Sequence, residues 1–206
     1  MHKYNRAIIA HIGPMWGGKT SALTSDLKKM EYAKYNTCLF KPKKDNRYSS
    51  TKVVTHDGEE MDAINVETFQ DIKNYIEQHP ELNINVIGID EFQFIRTDKV
   101  GYCFANDYIK SIDDLVKWII DNKYTLIISG LDLSSEFEPF NNVKELLPYA
   151  THIIKHTAVC VDCGNDATIS HCLFEKTEKE FVGAKESYIP LCLNCYLERK
   201  ENNHGE

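Results

Sequence analysis

Residues 13–20 read Gly-Pro-Met-Trp-Gly-Gly-Lys-Thr, and the apolar run Ala7-Ile8-Ile9-Ala10 precedes them. This is the G-x-x-x-x-G-K-[ST] pattern in its required setting, between a buried strand (7–12) and an amphipathic helix. Backbone N–H groups in such a loop turn inward around phosphate oxygens, and the start of the next helix adds favourable electrostatics. Gly13 and Gly18 are expected to let the backbone come close to phosphate. Lys19 is expected to reach the β- and γ-phosphates, and the Thr20 hydroxyl to ligate Mg²⁺.

The rest of the first 150 residues alternates strand and helix signals. Apolar positions recur at helical spacing over 21–33 and 113–121, and a helix is expected over 68–79 with Pro80 as its stop. Short apolar strands are expected at 37–40, 86–89 and 126–128, with a polar loop over 41–58. Continuous apolar strands between amphipathic helices predict an α/β fold, a parallel sheet flanked by helices. Ligands on such sheets bind at the carboxyl ends of the strands. The phosphate loop, Asp90-Glu91 and Leu131-Asp132 all fall at such ends.

Asp90 closes the apolar strand Val86-Ile87-Gly88-Ile89, the position of an aspartate that helps hold Mg²⁺ beside a phosphate loop. As a bare pattern it is also a turn carboxylate. Glu91 has two readings on position alone: orienting an attacking water, or accepting the proton of a substrate alcohol. Asp57, in Thr55-His56-Asp57-Gly58, is a weaker candidate for the metal or substrate side, and His56 reads as an ordinary loop histidine.

The composition shifts near Val159. Cys160-Val161-Asp162-Cys163 and Cys192-Leu193-Asn194-Cys195 are two C-x-x-C pairs, which together supply four thiolates for one structural, tetrahedral Zn²⁺. Residues 164–191 between them exceed the usual interval of about 15–20 and read as a long loop tied at its base. Two pairs without a βαβ context disfavour a thioredoxin-like motif. Cys38, Cys103 and Cys172 read as structural. The expected organisation is a P-loop α/β domain over 1–158 and a small C-terminal zinc-binding domain over 159–206.

The chain has 206 residues and a formal charge of −7, from 31 acidic against 24 basic side chains. That balance disfavours a broad nucleic-acid surface. No apolar run approaches the ~20 residues needed to span a bilayer, and the first residues carry no secretory apolar core. A cytoplasmic protein with reduced cysteines is expected.

The joint order of motifs resembles the thymidine kinases of bacteria, poxviruses and the animal cytosol. The resemblance runs from Ile12 to Tyr196: the phosphate loop, Asp45-Asn46-Arg47-Tyr48-Ser49-Ser50, Thr55-His56-Asp57, and Ile87 to Phe94. It continues with Leu131-Asp132 before Pro139-Phe140, Leu146-Leu147-Pro148, His156-Thr157-Ala158-Val159-Cys160, and the last cysteine pair with Tyr196. It implies transfer of the ATP γ-phosphate to the 5′-hydroxyl of thymidine, with Glu91 as base. The nucleotide side would comprise Gly13, Pro14, Met15, Trp16, Gly17, Gly18, Lys19, Thr20, Asp57, Asp90, Glu91, Phe92 and Gln93. Met15, Phe94 and Ser170 would line the nucleoside pocket. Val182, Gly183 and Tyr188 would lie on a lasso between the cysteine pairs, over the base. The family also implies a homotetramer inhibited by thymidine triphosphate.

Three departures bear on the nucleoside. Ser135 stands where the family places a Phe, and Glu138 where it places a basic residue. Extra residues between Phe94 and Ile112 include Arg96, Lys99, Tyr102 and Phe104, and Gly58 replaces an Arg of some members. Deoxyuridine therefore stands beside thymidine as a substrate. Two other classes fit parts of the pattern. A P-loop ATPase or GTPase switch leaves the long inter-cysteine loop unexplained and lacks an Asn-Lys-x-Asp motif. A zinc-ribbon nucleic-acid module conflicts with the acidic balance.

Overall fold

The computed structural model describes residues 6–43, 52–54, 60–97, 108–174 and 187–203. Its centre is a six-stranded, all-parallel sheet. In chain order the strands are β1 (Ile8–Ile12), β2 (Thr37–Pro42), β5 (Ile64–Val66), β6 (Val86–Ile89), β7 (Thr125–Gly130) and β8 (His152–Lys155). They lie in the spatial order β5-β2-β6-β7-β1-β8. A short antiparallel hairpin, β3 (Lys52–Val54) with β4 (Glu60–Asp62), precedes β5.

Alternate residues of the strands feed two cores, as a sheet covered on both faces requires. On one face Ile9, Leu39, Val86 and Ile127 pack with Leu23, Leu27 and Met30 of helix α1 (Lys19–Tyr32). On the other, Ile8, Ala10, Phe40, Ile87, Ile89, Leu126 and Ile128 meet three helices: α2 (Phe69–Gln78), α3 (Ile112–Asp121) and α4 (Asn141–Leu146). Gly88 lets α1 sit close, because a Cβ there would stand 2.7 Å from Leu27 Cδ1.

The chain's signals place the helix ends. Thr68 caps α2 by accepting from the Asp71 N–H at 3.2 Å, and Asp71 accepts the Thr68 N–H at 3.0 Å, a reciprocal capping box. Ser111 caps α3 through the Asp114 N–H at 3.1 Å. Helix α1 opens at Lys19, two residues earlier than apolar spacing suggests. Gly18 at φ 77° turns the chain straight from the loop into the helix, so Lys19 and Thr20 stand on its first turn. Strand β2 extends to Pro42 and β3 falls at 52–54, both inside the stretch expected to be a loop; the rest of that stretch lies outside the described residues. Strand β8 and helix α4 were not expected: β8 is an exposed edge strand without a continuous buried run, and α4 is too short to show a period.

The C-terminal segment folds around its own small core. Strands β9 (Ala158–Val159) and β10 (Asp166–Ala167) pair, as do β11 (Ile169–Cys172) and β12 (Tyr188–Leu191), and helix α5 (Leu193–Asn203) follows. Ala158, Cys160, Ala167, Ile169, Leu191, Cys195 and Tyr196 form the core, with Trp16 of the phosphate loop packed against it. Tyr196 also donates its hydroxyl to the Ser135 carbonyl at 3.3 Å, which ties this module to the loop after β7.

Leu27 is wholly buried where α1 crosses the sheet. Leu27→Ala is expected to lower unfolding free energy by about 2–5 kcal/mol in urea titrations. A loss under about 1 kcal/mol would mean that α1 does not pack as described.

Candidate active site

The sheet order explains how the site is assembled. The strand that feeds the phosphate loop, β1, and the strand that ends in Asp90, β6, are not neighbours; β7 lies between them. Three strand ends therefore converge. The Thr20 hydroxyl reaches the Asp90 carboxylate at 3.1 and 3.4 Å, and from β7 Ser129 donates to Asp90 Oδ1. Asp90 is buried, at 5% exposure. A buried carboxylate with two hydroxyl donors is a partly satisfied anion. Thr20 and Asp90 thus present a hydroxyl and a carboxylate oxygen side by side, the hard-oxygen donor set that suits Mg²⁺.

Lys19 Nζ donates to the Pro14 carbonyl at 2.7 Å, so the lysine folds back over its own loop. Gly13 is required for a reason the motif does not reveal. At φ 140°, a Cβ there would lie 2.3 Å from the His156 carbonyl oxygen, so the bare backbone admits the chain leaving β8. Gly18 is open, with nothing within 4 Å of a built Cβ. Trp16 holds a positive φ of 63°.

Glu91 follows Asp90 in the left-handed region, at φ 49° and ψ 44°. This turn gives the consecutive carboxylates different partners, Thr20 for Asp90 and Gln93 for Glu91. Gln93 fixes the second: its Nε2 donates to Glu91 Oε2 at 2.6 Å, and its Oε1 accepts the Leu131 N–H at 3.0 Å. Gly130 makes this possible, since a Cβ there would stand 2.6 Å from Gln93 Oε1. Phe92 is wholly buried beneath the turn against Phe69, with ring centroids 5.1 Å apart.

Phe94 meets Phe140 edge-to-face at 6.0 Å, and both line a cavity of about 470 Å³ that also borders Gln93, Glu67 and Arg96. Arg96, from the segment carrying the extra residues, pairs with Glu67 at 3.0 Å at this cavity. Lys99, Tyr102, Cys103 and Phe104 lie outside the described residues, as do Asp57, Val182 and Gly183.

Ser170 and Met15, far apart in sequence, meet directly. Ser170 Oγ accepts the Met15 N–H at 2.8 Å, which joins β11 to the phosphate loop. Tyr188 stands at the start of β12, opposite Cys172 in the register. Ser135 is buried, with its carbonyl under Tyr196, while Glu138 is exposed. Sequence reasoning did not find Ser129, Gly130 or Phe140 as parts of this arrangement. Ser129 was visible only as a polar residue ending an apolar strand, a signal that gains meaning once β7 is known to lie between β1 and β6.

The four cysteines of the two C-x-x-C pairs gather with their sulfurs all within 4.8 Å of one another, and Cys163 and Cys192 are 3.6 Å apart. Tetrahedral zinc with Zn–S bonds near 2.3 Å spaces its sulfurs about 3.8 Å apart, so four thiolates here fit that ion. Burial opposes ionisation of Cys160, yet the backbone N–H groups of Cys192, Cys163 and Asp162 hold its thiol below the ordinary range. Arg199 anchors the knuckle through two bonds to Asp162, at 2.8 and 2.6 Å. By contrast, burial pushes the Cys38 thiol up to about 12, in keeping with an inert structural residue.

A phosphate loop, an aspartate from the second strand over and helices on both faces define a P-loop nucleotide-binding fold carrying a four-cysteine module. A family model for thymidine kinase matches residues 6–196. The thymidine kinase of Pseudothermotoga lettingae is 34% identical over 186 residues, 90% of this chain and 91% of that protein. The thymidine kinase of Yaba monkey tumor virus is 35% identical over 192 residues, 93% of this chain and 94% of that protein. Among solved structures, the genome packaging NTPase B204 from Sulfolobus turreted icosahedral virus 2, in complex with ATP-gammaS, covers 75% of each chain. At 16% identity and a TM-score of 0.45 it is too distant to bear on chemistry. The chain belongs to the thymidine kinase family and is thereby an ATP-binding kinase acting on thymidine, in nucleotide salvage. Among the described residues no helix is long and apolar enough to cross a membrane.

Purified protein is expected to hold one zinc per chain by atomic absorption, and Cys160→Ser to lose it together with the fold of residues 158–203. Stoichiometric zinc retained in that variant would refute the four-thiolate site.

Proposed function

We propose that the chain transfers the γ-phosphate of ATP to the 5′-hydroxyl of thymidine, with Glu91 as the base. The observation that carries this reading is the Asp90-Glu91 turn, in which Thr20 takes one carboxylate and Gln93 orients the next. As the 5′-oxygen bonds to the γ-phosphorus and the bond to the ADP oxygen breaks, the hydroxyl proton passes to a Glu91 oxygen. Gly13 to Gly18 and Lys19 would hold the phosphates, with Pro14, Met15 and Trp16 shaping the loop. Thr20 and Asp90 would hold Mg²⁺, which neutralises the charge on the transferring phosphate. Phe92 and Gln93 set the turn, and Asp57 belongs to the metal or substrate side.

The nucleoside pocket is assigned to Met15, Phe94 and Ser170, with Val182, Gly183 and Tyr188 on a lasso over the base. The half-buried Met15–Ser170 contact supports this, because it fixes the base of that lasso against the phosphate loop. A covered site excludes water and protects ATP from hydrolysis. On this reading residues 1–158 form the ATP-binding domain and 159–206 the zinc-anchored lasso domain. Ser135 lacks the ring that family members pack near the base, which loosens the selection for thymidine, so deoxyuridine is a second substrate. A homotetramer inhibited by thymidine triphosphate and working in the cytoplasm completes the proposal. An edge strand supports assembly: all four residues of β8 are exposed, Ile153 at 51%.

Glu91→Gln is expected to lower kcat for thymidine by about 10²–10⁴-fold while Mg-ATP affinity stays within about threefold. Unchanged turnover would remove Glu91 as the base. A panel of thymidine, deoxyuridine, deoxycytidine and purine deoxynucleosides tests the acceptor, and phosphorylation of purines in preference to pyrimidines would overturn the pocket assignment.

A further inference from the structure

Behind the phosphate loop lies a chain of polar side chains that the transfer chemistry does not use. His11 sits on β1 two residues before the loop, and it is buried at 4% exposure. Its Nε2 meets Asp26 Oδ2 of α1 at 3.1 Å, and its Nδ1 meets His156 Nε2 at 3.0 Å. Lys29 holds the other Asp26 oxygen at 2.8 Å. His156 closes the chain onto the loop. Its N–H donates to the Ile12 carbonyl at 2.7 Å, and its carbonyl fills the space a Cβ on Gly13 would take. A Cβ on Gly17 would lie 3.2 Å from the His156 Cβ. The ring pair thus joins helix α1 and strand β1 to the residue after β8, whose backbone and Cβ press on Gly13 and Gly17.

Donor counting orders the protons. The Asp26 carboxylate only accepts, so His11 Nε2 carries its hydrogen. His11 Nδ1 and His156 Nε2, 3.0 Å apart, share one hydrogen. Burial, then the positive charges of His11 and Lys19, hold the His156 imidazolium below the ordinary range. The charged and titratable groups facing the pair are Asp26 and Lys29 from α1, Lys19 from the loop's end, and the two rings themselves. A hydrogen bond between the His156 ring and the Gly17 backbone acts against that lowering and ties the chain of side chains to the loop. Removing His156 leaves the Nδ1 of the buried His11 without its partner.

We propose that Asp26, His11 and His156 form a positioning relay for the phosphate loop. It holds the Gly13–Gly17 backbone in the arrangement that receives a triphosphate, and so sets the affinity for Mg-ATP rather than the rate of transfer. This rests on the loop binding ATP. Its physical basis is preorganisation: a loop already fixed loses less freedom when the nucleotide binds.

The test measures Mg-ATPγS binding by calorimetry, which needs no nucleoside, beside steady-state kinetics with thymidine. His156→Leu is expected to weaken Mg-ATPγS binding about fivefold or more, with kcat at saturating ATP and the thymidine KM within about twofold. Asp26→Leu, remote from nucleotide and loop, is expected to weaken it by a similar factor. Asp26→Asn, whose carbonyl still accepts the His11 proton, is expected to stay within about twofold of the parent. The Asp26→Leu/His156→Leu double variant is expected to be no weaker than the worse single one, as members of one chain are not additive. In the unsubstituted protein, ¹⁵N NMR is expected to show the ring signals of His11 and His156 shifting when Mg-ATPγS saturates. Unchanged affinity in both leucine variants, a loss of kcat with affinity intact, or ring signals unmoved by the nucleotide would overturn the relay. If the kinase reading itself failed, thymidine would stay unphosphorylated while this pattern of nucleotide affinities persisted.

Discussion

The site depends on one contact that spans a strand: the Thr20 hydroxyl against the Asp90 carboxylate, with Ser129 of β7 bridging from beneath. Thr20 stands on the helix that follows β1 and Asp90 follows β6, strands that do not touch, so their meeting is a property of the sheet order rather than of either motif. Because β7 runs parallel between β6 and β1, the three carboxyl ends rise together. Hydroxyl donors that face the enclosed, buried anion help the sheet to hold it. If this corner opened, the phosphate loop and the Glu91 turn would no longer share a floor.

From that corner the remaining architecture is a set of supports, each resting on a position without a side chain. Gly130 gives Gln93 the space to hold Glu91 with one end of its amide and the β7 exit with the other. Gly13 gives the chain leaving β8 the space to press on the phosphate loop. The four-cysteine module belongs to the same assembly: Trp16 packs on its core, Ser170 grips the Met15 backbone, and Tyr196 holds the Ser135 carbonyl. A metal held by four thiolates would thereby stiffen contacts to the phosphate loop and to the loop after β7.

Much of this was legible in the amino-acid order because the signals were local. Strands β1, β6 and β7 are buried on both faces and so appear as unbroken apolar runs, and the phosphate loop declares itself by its glycines and lysine. Thr68 and Asp71 mark α2 by capping chemistry that needs only four residues. What escaped was set at long range. Strand β8 is an exposed edge, so burial imposes no apolar run on it, and β5 has three residues, too few to show alternation. Ser129, at the polar end of a strand, and His11, inside one, carry no local signal. Their roles depend on partners 39 and 145 residues away. The order of the extra segment before α3 was not legible either; only Arg96 of its named residues is described, and it is engaged with Glu67.

The most direct measurement of the central claim is phosphorus NMR of the purified chain with Mg-ATP, with and without thymidine. The account predicts one ADP for each new 5′-phosphomonoester of thymidine, and negligible ATP loss when the nucleoside is left out. ATP consumed at the same rate with and without thymidine, with no phosphomonoester formed, would contradict it.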